Sequence, residues 1–205
     1  MIVRQIKVGP MENFAYILGC EESGEAAIID PGFEAEKLLG VASEMSMKVV
    51  AVINTHGHSD HIASNQEIVT ETGAQVIAHE LAIFTVDRYI KDKEFFKIGK
   101  IMIETIHTPG HSPDSVCFIV NNEIIFTGDT LFVSECGRTD LPGSSNEDMY
   151  NSLVKIMRKM PDNLIVYPGH DYGPTKTSKM GDEKINNYTL KERTKNEFLK
   201  FMLEP

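Results

Sequence analysis

The chain has 205 residues, enough for one domain with a sizeable core, and its 41% hydrophobic and 24% charged residues are ordinary for a globular protein. A net charge of −10 argues against a protein that binds the nucleic-acid backbone, because no basic surface is available to displace counterions from the phosphates. No apolar run approaches the roughly 18 residues that span a bilayer, and no signal peptide is recognisable, so neither nucleic acid nor membrane is an expected partner.

The three cysteines, Cys20, Cys117 and Cys136, are widely spaced and form no C-x-x-C pair. Cys20 and Cys117 lie in apolar, strand-like stretches, which predicts buried and reduced thiols. Reduced thiols are typical of the cytoplasm, so a cytoplasmic location is predicted.

The first half of the chain is predicted to alternate strands with helices. A helical period of apolar residues predicts one helix over 34–46. A second helix is predicted from Ile62 to Thr72, where Gly73 stops it. The segment 80–97 is less regular and rich in charge, and no element is assigned to it. The predicted strands are 2–8, 13–20, 25–30, 48–54 and 75–79.

The second half repeats this plan. A helix is predicted over 147–160, and the polar tail from Asp182 is predicted to be helical with Phe198, Leu199 and Met202 on its apolar side. The predicted strands are 101–107, 115–120, 123–128 and 163–167. No linker or short-period repeat divides the chain, so residues 1–205 are predicted to form a single layered α/β or α+β domain.

Ligand-type side chains directly follow four of the predicted strands. The stretch "THGHSDH" at 55–61 follows one strand, and a single histidine or aspartate follows each of three others within a few residues. Sites in layered α/β proteins gather beyond strand ends, because rigid strands fix the positions of short loops. The side chains presented in this way are His56, His58, Asp60, His61, His111, Asp129 and His170.

The spacing within 55–61 predicts two adjacent metal positions. His56 and His58 point to the same side if the chain leaves the strand extended, because side chains alternate along extended backbone. Asp60 and His61 face a neighbouring point once the chain turns into a helix. This one loop therefore contributes ligands to two cations.

The later residues complete the two predicted sites. His111 joins His56 and His58, and His170 joins Asp60 and His61. Asp129 bridges the two ions, because each of its oxygens can hold one. Neutral imidazoles with a few carboxylates suit two zinc ions, with iron or manganese as alternatives.

Each of these residues also has a purely structural interpretation. A single histidine near a strand end is usually a hydrogen-bonded structural residue, and His79 and His107 are interpreted in that way. Asp60 alone is consistent with a helix N-cap. Five histidines in one recurring pattern are hard to obtain by accident, so metal binding is the favoured hypothesis.

The motif H-x-H-x-D-H at 56–61, followed in order by His111, Asp129 and His170, resembles the metallo-β-lactamase superfamily. The resemblance implies a four-layer αββα sandwich with metal ions at one edge between the two sheets. The segments "HTPGHSPDSVCF", "FTGDTLF", "GRTDLPG" and "YPGHDYGPTKTS" are similar to those of the glyoxalase II-like group, the hydroxyacylglutathione hydrolases. The stretch after His170 is shorter than the helical C-terminal domain with which full-length glyoxalase II grips glutathione, so that domain is expected to be absent.

The resemblance implies a binuclear metallohydrolase that cleaves a thioester of the S-acylglutathione kind. Asp60 is expected to orient the attacking hydroxide as well as to bind metal. Arg138 pairs with a substrate carboxylate or, equally, with Asp140 or Glu135 at the surface. Tyr172 lines the substrate pocket or is an ordinary loop tyrosine.

Two other function classes stay open at this point. The segment "CGRTD" also resembles the persulfide dioxygenases, in which one iron would be held by His56, His111 and Asp129. The third class is a non-enzymatic metal store, although structural zinc sites are normally closed and rich in cysteine.

Overall fold

The computed structural model describes residues 1–203, and within them two six-stranded sheets are present. In the first sheet, β1 to β3 pair antiparallel and β3 to β6 pair parallel, in sequence order. The strands of this sheet are β1 (Ile2–Val8), β2 (Asn13–Cys20), β3 (Glu25–Ile29), β4 (Lys48–Ile53), β5 (Gln75–His79) and β6 (Arg88–Ile90).

The second sheet is mainly antiparallel. Its strands lie in the order β12-β11-β10-β9-β8-β7, and of these pairs only β10–β11 is parallel. They are β7 (Phe95–Ile98), β8 (Ile101–His107), β9 (Val116–Val120), β10 (Ile124–Gly128), β11 (Ile165–Pro168) and β12 (Ser178–Lys179).

Six short α-helices are present in the described residues, and all except α2 contribute to the apolar clusters on the outer faces of the sheets. They are α1 (Ala35–Glu44), α2 (Ser59–Ile62), α3 (Asn65–Thr72), α4 (Asn146–Tyr150), α5 (Met180–Asn186) and α6 (Lys195–Phe201). A capping box between Thr194 and Glu197 starts α6, and Gly73 in the left-handed region ends α3. Among the described residues, no helix combines the length and the apolar character needed to cross a bilayer.

Alternation along the strands divides the apolar side chains between inner and outer layers. In β2, Phe14, Tyr16 and Leu18 contribute to the core between the sheets, whereas Ala15 and Ile17 pack with α1 and α3. A third cluster lies between the outer face of the second sheet and α4 to α6. The layers are therefore helix, sheet, sheet and helix, and the predicted αββα architecture is confirmed.

The segment 80–97, to which the sequence assigned no element, contains β6 and the start of β7. β6 has only three residues, too few for a period to show in the sequence. In β7 the alternation is clear in the structure, where Phe95 is exposed and Phe96 is buried.

Three predicted helices also differ between the sequence prediction and the structure. The helix predicted from Ile62 starts earlier and is interrupted between α2 and α3. The helix predicted over 147–160 begins as α4, then widens into a π-helix over Asn151–Ile156 and tightens into a 3-10 turn. In α6 the buried side is formed by Phe198 with Phe201 and Met202, so the assignment of Leu199 to that side was wrong.

All three cysteines are free and buried, as predicted for Cys20 and Cys117. Burial raises the pKa of the Cys117 thiol to about 11 and that of Cys136 to about 12. These two side chains therefore remain protonated at neutral pH.

Candidate metal centre

Four strands deliver the predicted ligands to one edge of the sandwich. β10 and β11 are parallel, and β8 runs in the same direction as β10 because both pair antiparallel with β9. The loops after these three strands therefore leave the second sheet at the same edge, where they meet the loop after β4 from the first sheet. Each half of the centre draws side chains from both sheets.

The first half-site consists of His56, His58 and His111. Nδ1 of His58 lies 3.1 Å from Nε2 of His56 and 2.8 Å from Nε2 of His111. The three nitrogens lie within 4.8 Å of one another, a separation suited to one shared cation. His56 and His111 are buried, while His58 is partly exposed.

The second half-site consists of Asp60, His61 and His170. The Nε2 atoms of His61 and His170 are 3.2 Å apart, and Oδ2 of Asp60 lies 3.5 Å from each of them. Asp60 and His61 both lie on α2, so this single helical turn supplies two of the three donors. These donors also lie within 4.8 Å of one another.

Asp129 lies between the two half-sites. Its Oδ2 is 3.4 Å from Nε2 of His111 and 3.3 Å from Nε2 of His170, and its Oδ1 is 3.4 Å from Nε2 of His61. Oδ1 is buried and accepts no hydrogen bond from the described residues. A buried carboxylate oxygen without a donor is costly unless a cation serves as its partner, so the residues present fit a metal centre.

Hydrogen bonds on the outer side fix the orientation of four of the imidazoles. Each uses Nδ1 for this contact and so directs Nε2 towards the centre, the usual arrangement around metal-binding histidines. The contacts are His56 with Thr55 Oγ1 at 3.1 Å, His61 with Asp30 Oδ2 at 3.2 Å, His111 with the Arg138 carbonyl at 2.8 Å and His170 with the Met11 carbonyl at 2.8 Å.

Asp30 is a functional candidate that the sequence reasoning missed. Its carboxylate accepts hydrogen bonds from the backbone N–H and hydroxyl of Thr55, at 2.7 and 2.6 Å, and also contacts Nδ1 of His61. It therefore supports both half-sites from behind. Asp30 follows β3 directly, so the same pattern of an acidic residue at a strand end would have found it.

Burial and neighbouring charges shift the pKa values of the two half-sites in different directions. Burial disfavours the charged form of His56 and holds the pKa of its imidazole well below the ordinary value. Burial acts in the same direction on His61, but the carboxylates of Asp129 and Asp30 outweigh it and raise the pKa to about 9. Burial would raise the pKa of Asp129, yet the imidazoles of His61 and His170 hold it well below its usual range. A cation entering the second half-site must therefore displace a proton.

Zinc binding to the metal-free protein is expected to release protons near neutral pH. An imidazole binds zinc only when deprotonated, and the pKa of His61 is raised to about 9. Below that pKa the apparent affinity should rise about tenfold per pH unit for each proton displaced, and above it the affinity should level off. Calorimetric titration in two buffers of different ionisation enthalpy measures this release. A binding enthalpy that does not depend on the buffer would contradict the expectation.

A cavity of about 480 Å³ opens above the centre and is lined by both predicted substrate-binding residues, Arg138 and Tyr172. Arg138 donates from Nε and Nη2 to the two carboxylate oxygens of Asp140, at 2.5 and 2.6 Å, and both side chains are exposed. The surface ion pair is thus formed with Asp140, while Arg138 is also among the residues that line the cavity.

Tyr172 packs directly on a candidate ligand. Its ring stacks on the imidazole of His170 at a centroid distance of 4.6 Å, and its hydroxyl donates to the Met11 carbonyl at 3.2 Å. Tyr172 therefore holds His170 in place as well as forming one wall of the cavity.

His79 and His107 lie outside these ligand groups, in keeping with their structural interpretation. Their rings stack on each other at 4.1 Å with an interplanar angle of 18°. Across residues 1–203, neither belongs to a cluster of three side chains with the spacing of a metal site.

Comparison with known proteins adds three findings. A family model described as the metallo-beta-lactamase superfamily matches residues 8–170. A hydroxyacylglutathione hydrolase from a Polaromonas species is 38% identical over 179 residues, which are 84% of this chain and 67% of that protein. The mitochondrial persulfide dioxygenase ETHE1 of Homo sapiens is 32% identical over 205 residues, which are 98% of this chain and 80% of that protein.

Among solved structures, ETHE1 from Myxococcus xanthus superposes with a TM-score of 0.94 and 29% identity, covering 100% of this chain and 92% of that one. The similarity to persulfide dioxygenases thus extends further along the chain, whereas the identity to the Polaromonas hydrolase is higher.

Proposed function

Because this chain belongs to the metallo-β-lactamase superfamily, we propose that it is a binuclear metal-dependent hydrolase that cleaves a thioester of the S-acylglutathione kind. The chain spans about two thirds of the hydroxyacylglutathione hydrolase it matches, so its activity is a proposal and does not follow from that relative. Three free, buried cysteines support a reducing compartment, and we place the protein in the cytoplasm on that ground.

The observation that carries this proposal is the presence of two complete ligand sets joined by one carboxylate. Each half-site supplies three donors, and Oδ2 of Asp129 lies within 3.4 Å of a nitrogen from each. An enzyme with a single iron needs only two histidines and one carboxylate, and would leave a second complete set without a purpose. Hydrolysis at a paired-ion centre uses both sets.

We propose zinc as the metal, because most of the donors are imidazole nitrogens. Two divalent ions held there would supply hydroxide at neutral pH and stabilise negative charge on the acyl oxygen. Two carboxylates, from Asp60 and Asp129, do not cancel the charge of two such ions. The centre therefore favours an anionic substrate.

The protein's own side chains provide orientation and recognition. Asp60 lines the cavity, where its carboxylate can accept a hydrogen bond from the nucleophile and so orient it towards the acyl carbon. Arg138, at the cavity edge, is placed to exchange its pairing with Asp140 for a bidentate contact with a substrate carboxylate. Tyr172 closes the wall next to His170.

A thioester suits this set of residues. The leaving thiol has an ordinary pKa of about 8.5, so the thiolate departs with little help from a proton donor. An amide or an ester would depend far more on a general acid at that position.

The second candidate function is a persulfide dioxygenase, favoured by the 32% identity to the human enzyme over 98% of this chain. One iron would then be held by His56, His111 and Asp129, of which the latter two approach to 3.4 Å. A non-enzymatic metal store is no longer favoured, since the family is one of metal-dependent enzymes.

Elemental analysis of protein purified without added metal, followed by an activity panel, tests the proposal. About two metal ions per chain and cleavage of an S-acylglutathione are expected. About one iron per chain and oxygen consumption with glutathione persulfide would instead establish the dioxygenase. Turnover of neither substrate by the fully loaded protein would reject both functions.

A further inference from the structure

Asn13, the first residue of β2, contacts the second half-site through its side chain. Asn13 is only 1% exposed, and its Nδ2 donates to Oδ2 of Asp60 at 2.8 Å and to the Asp60 backbone carbonyl at 3.2 Å. Both partners are acceptors, so the amide must direct its NH2 group towards Asp60. Among the described residues this is the one hydrogen bond that the Asp60 carboxylate accepts.

Asn13 and the turn that precedes it also hold the other side of the second half-site. The Met11 carbonyl accepts the hydrogen bond from Nδ1 of His170 at 2.8 Å, and Asn13 forms an isolated backbone bridge with His170. The Asp171 N–H also donates to the Glu12 carbonyl at 2.8 Å. Residues 11–13 therefore fix both Asp60 and His170, although these two ligands lie far apart in the sequence.

The first half-site has separate supports. Nδ1 of His56 contacts Thr55 Oγ1, and Nδ1 of His111 contacts the Arg138 carbonyl. No hydrogen bond from residues 11–13 reaches any of its three histidines in the described part of the chain. A change at Asn13 is thus expected to act on one half-site alone.

Packing alone does not explain an asparagine at position 13. Its Oδ1 is buried and has no hydrogen-bond partner among residues 1–203. An apolar side chain of the same shape would avoid that cost, since a buried polar atom without a partner destabilises the fold. What the amide provides and an apolar residue does not is the donor to Asp60.

We propose that Asn13 is the positioning residue of the second half-site and so determines whether the centre holds one ion or two. The inference rests on the proposed binuclear function of that site. Without the amide donor, the carboxylate of Asp60, which is 17% exposed, is free to rotate towards solvent and leave His61 and His170 as an incomplete set.

Zinc titration of metal-free Asn13→Leu and Asn13→Ala tests this assignment. Leucine keeps the branched shape of asparagine, with a larger volume, and removes the donor, whereas alanine removes both the branch and the donor. In each variant the first zinc ion is expected to bind as in the unmodified protein, and the second to bind about 10- to 100-fold more weakly. Competition with a chelator of known affinity measures the two steps, and thermal unfolding of the metal-free proteins confirms that the fold persists.

A matched control is Gln5→Ala in the neighbouring strand β1. Gln5 donates to the Tyr16 hydroxyl at 3.1 Å and to the Lys176 carbonyl at 2.9 Å, and contacts no candidate ligand. Both zinc affinities should be unchanged in this variant.

Three outcomes would overturn the assignment: a second-ion affinity within about twofold of the unmodified value in both Asn13 variants, equal weakening of both ions, or one zinc ion per unmodified chain. A different result would reject the proposed function. An unmodified protein that takes up two zinc ions but cleaves no thioester would reject the hydrolase and leave the role of Asn13 in place.

Discussion

Asp129→Ala is expected to lower kcat/KM for thioester cleavage about a thousandfold, which corresponds to roughly 4 kcal/mol of lost transition-state stabilisation. Oδ2 of Asp129 lies 3.4 Å from the His111 nitrogen and 3.3 Å from the His170 nitrogen, so one substitution removes a donor from both half-sites. Both metal affinities should fall together. Steady-state kinetics at saturating zinc and elemental analysis after dialysis measure the two effects.

The matched control for this variant is Asp162→Ala. Asp162 is exposed, pairs with Lys184 at 2.5 Å and belongs to none of the candidate ligand groups. Kinetics and metal content should match those of the unmodified protein. An Asp129→Ala enzyme that retained two ions and most of its activity would show that Asp129 does not bridge the centre.

Gly32→Ala is expected to lower the free energy of unfolding by about 3 kcal/mol, towards the upper end for overpacking, and the Tm by roughly 6–12 °C. A Cβ at position 32 would lie 1.6 Å from the backbone oxygen of Asp60, and no side-chain rotation relieves a contact between two backbone segments. The accommodating movement must displace α2, which carries Asp60 and His61. Thermal unfolding by circular dichroism and zinc titration measure the two consequences.

Gly40→Ala provides the control for this substitution. Gly40 lies inside α1, and a Cβ there would meet nothing within 4 Å. Alanine should therefore raise stability by about 0.5–1 kcal/mol, the usual gain for replacing a helical glycine. If Gly32→Ala behaved like Gly40→Ala, the close approach of Gly32 to Asp60 would have no energetic importance.

Local patterns predicted a layered α/β or α+β domain and the convergence of the ligands, whereas the four-layer sandwich was implied by the family resemblance. Alternation in β2 assigns Phe14 and Tyr16 to one face without knowledge of the partner strand. A histidine or aspartate directly after a buried strand, such as Asp129 after β10, has its position set by that strand. Such patterns need no information about distant parts of the chain.

The supporting residues were missed because their roles depend on contacts between distant segments. Asn13 lies in an ordinary strand start, and its hydrogen bond reaches a residue 47 positions further along the chain. Asp30 is a different case, because it follows β3 directly and fits the strand-end pattern, and the structure adds its contacts with Thr55 and His61. Sequence patterns indicate which face a side chain occupies and do not identify what it meets there. Arg138 illustrates the same limit, since only the structure shows that Asp140 is its surface partner.

The two sheets contribute to every cation position, since the loop after β4 is joined by His111 in one half-site and by His170 in the other. Bound ions would thus link the two sheets at one edge of the sandwich, and unfolding that separates the sheets would release the ions. Thermal stability and resistance to chelators would therefore depend on the same contacts between the sheets. Loss of the metal would then leave a protein that is not only less active but also more easily unfolded.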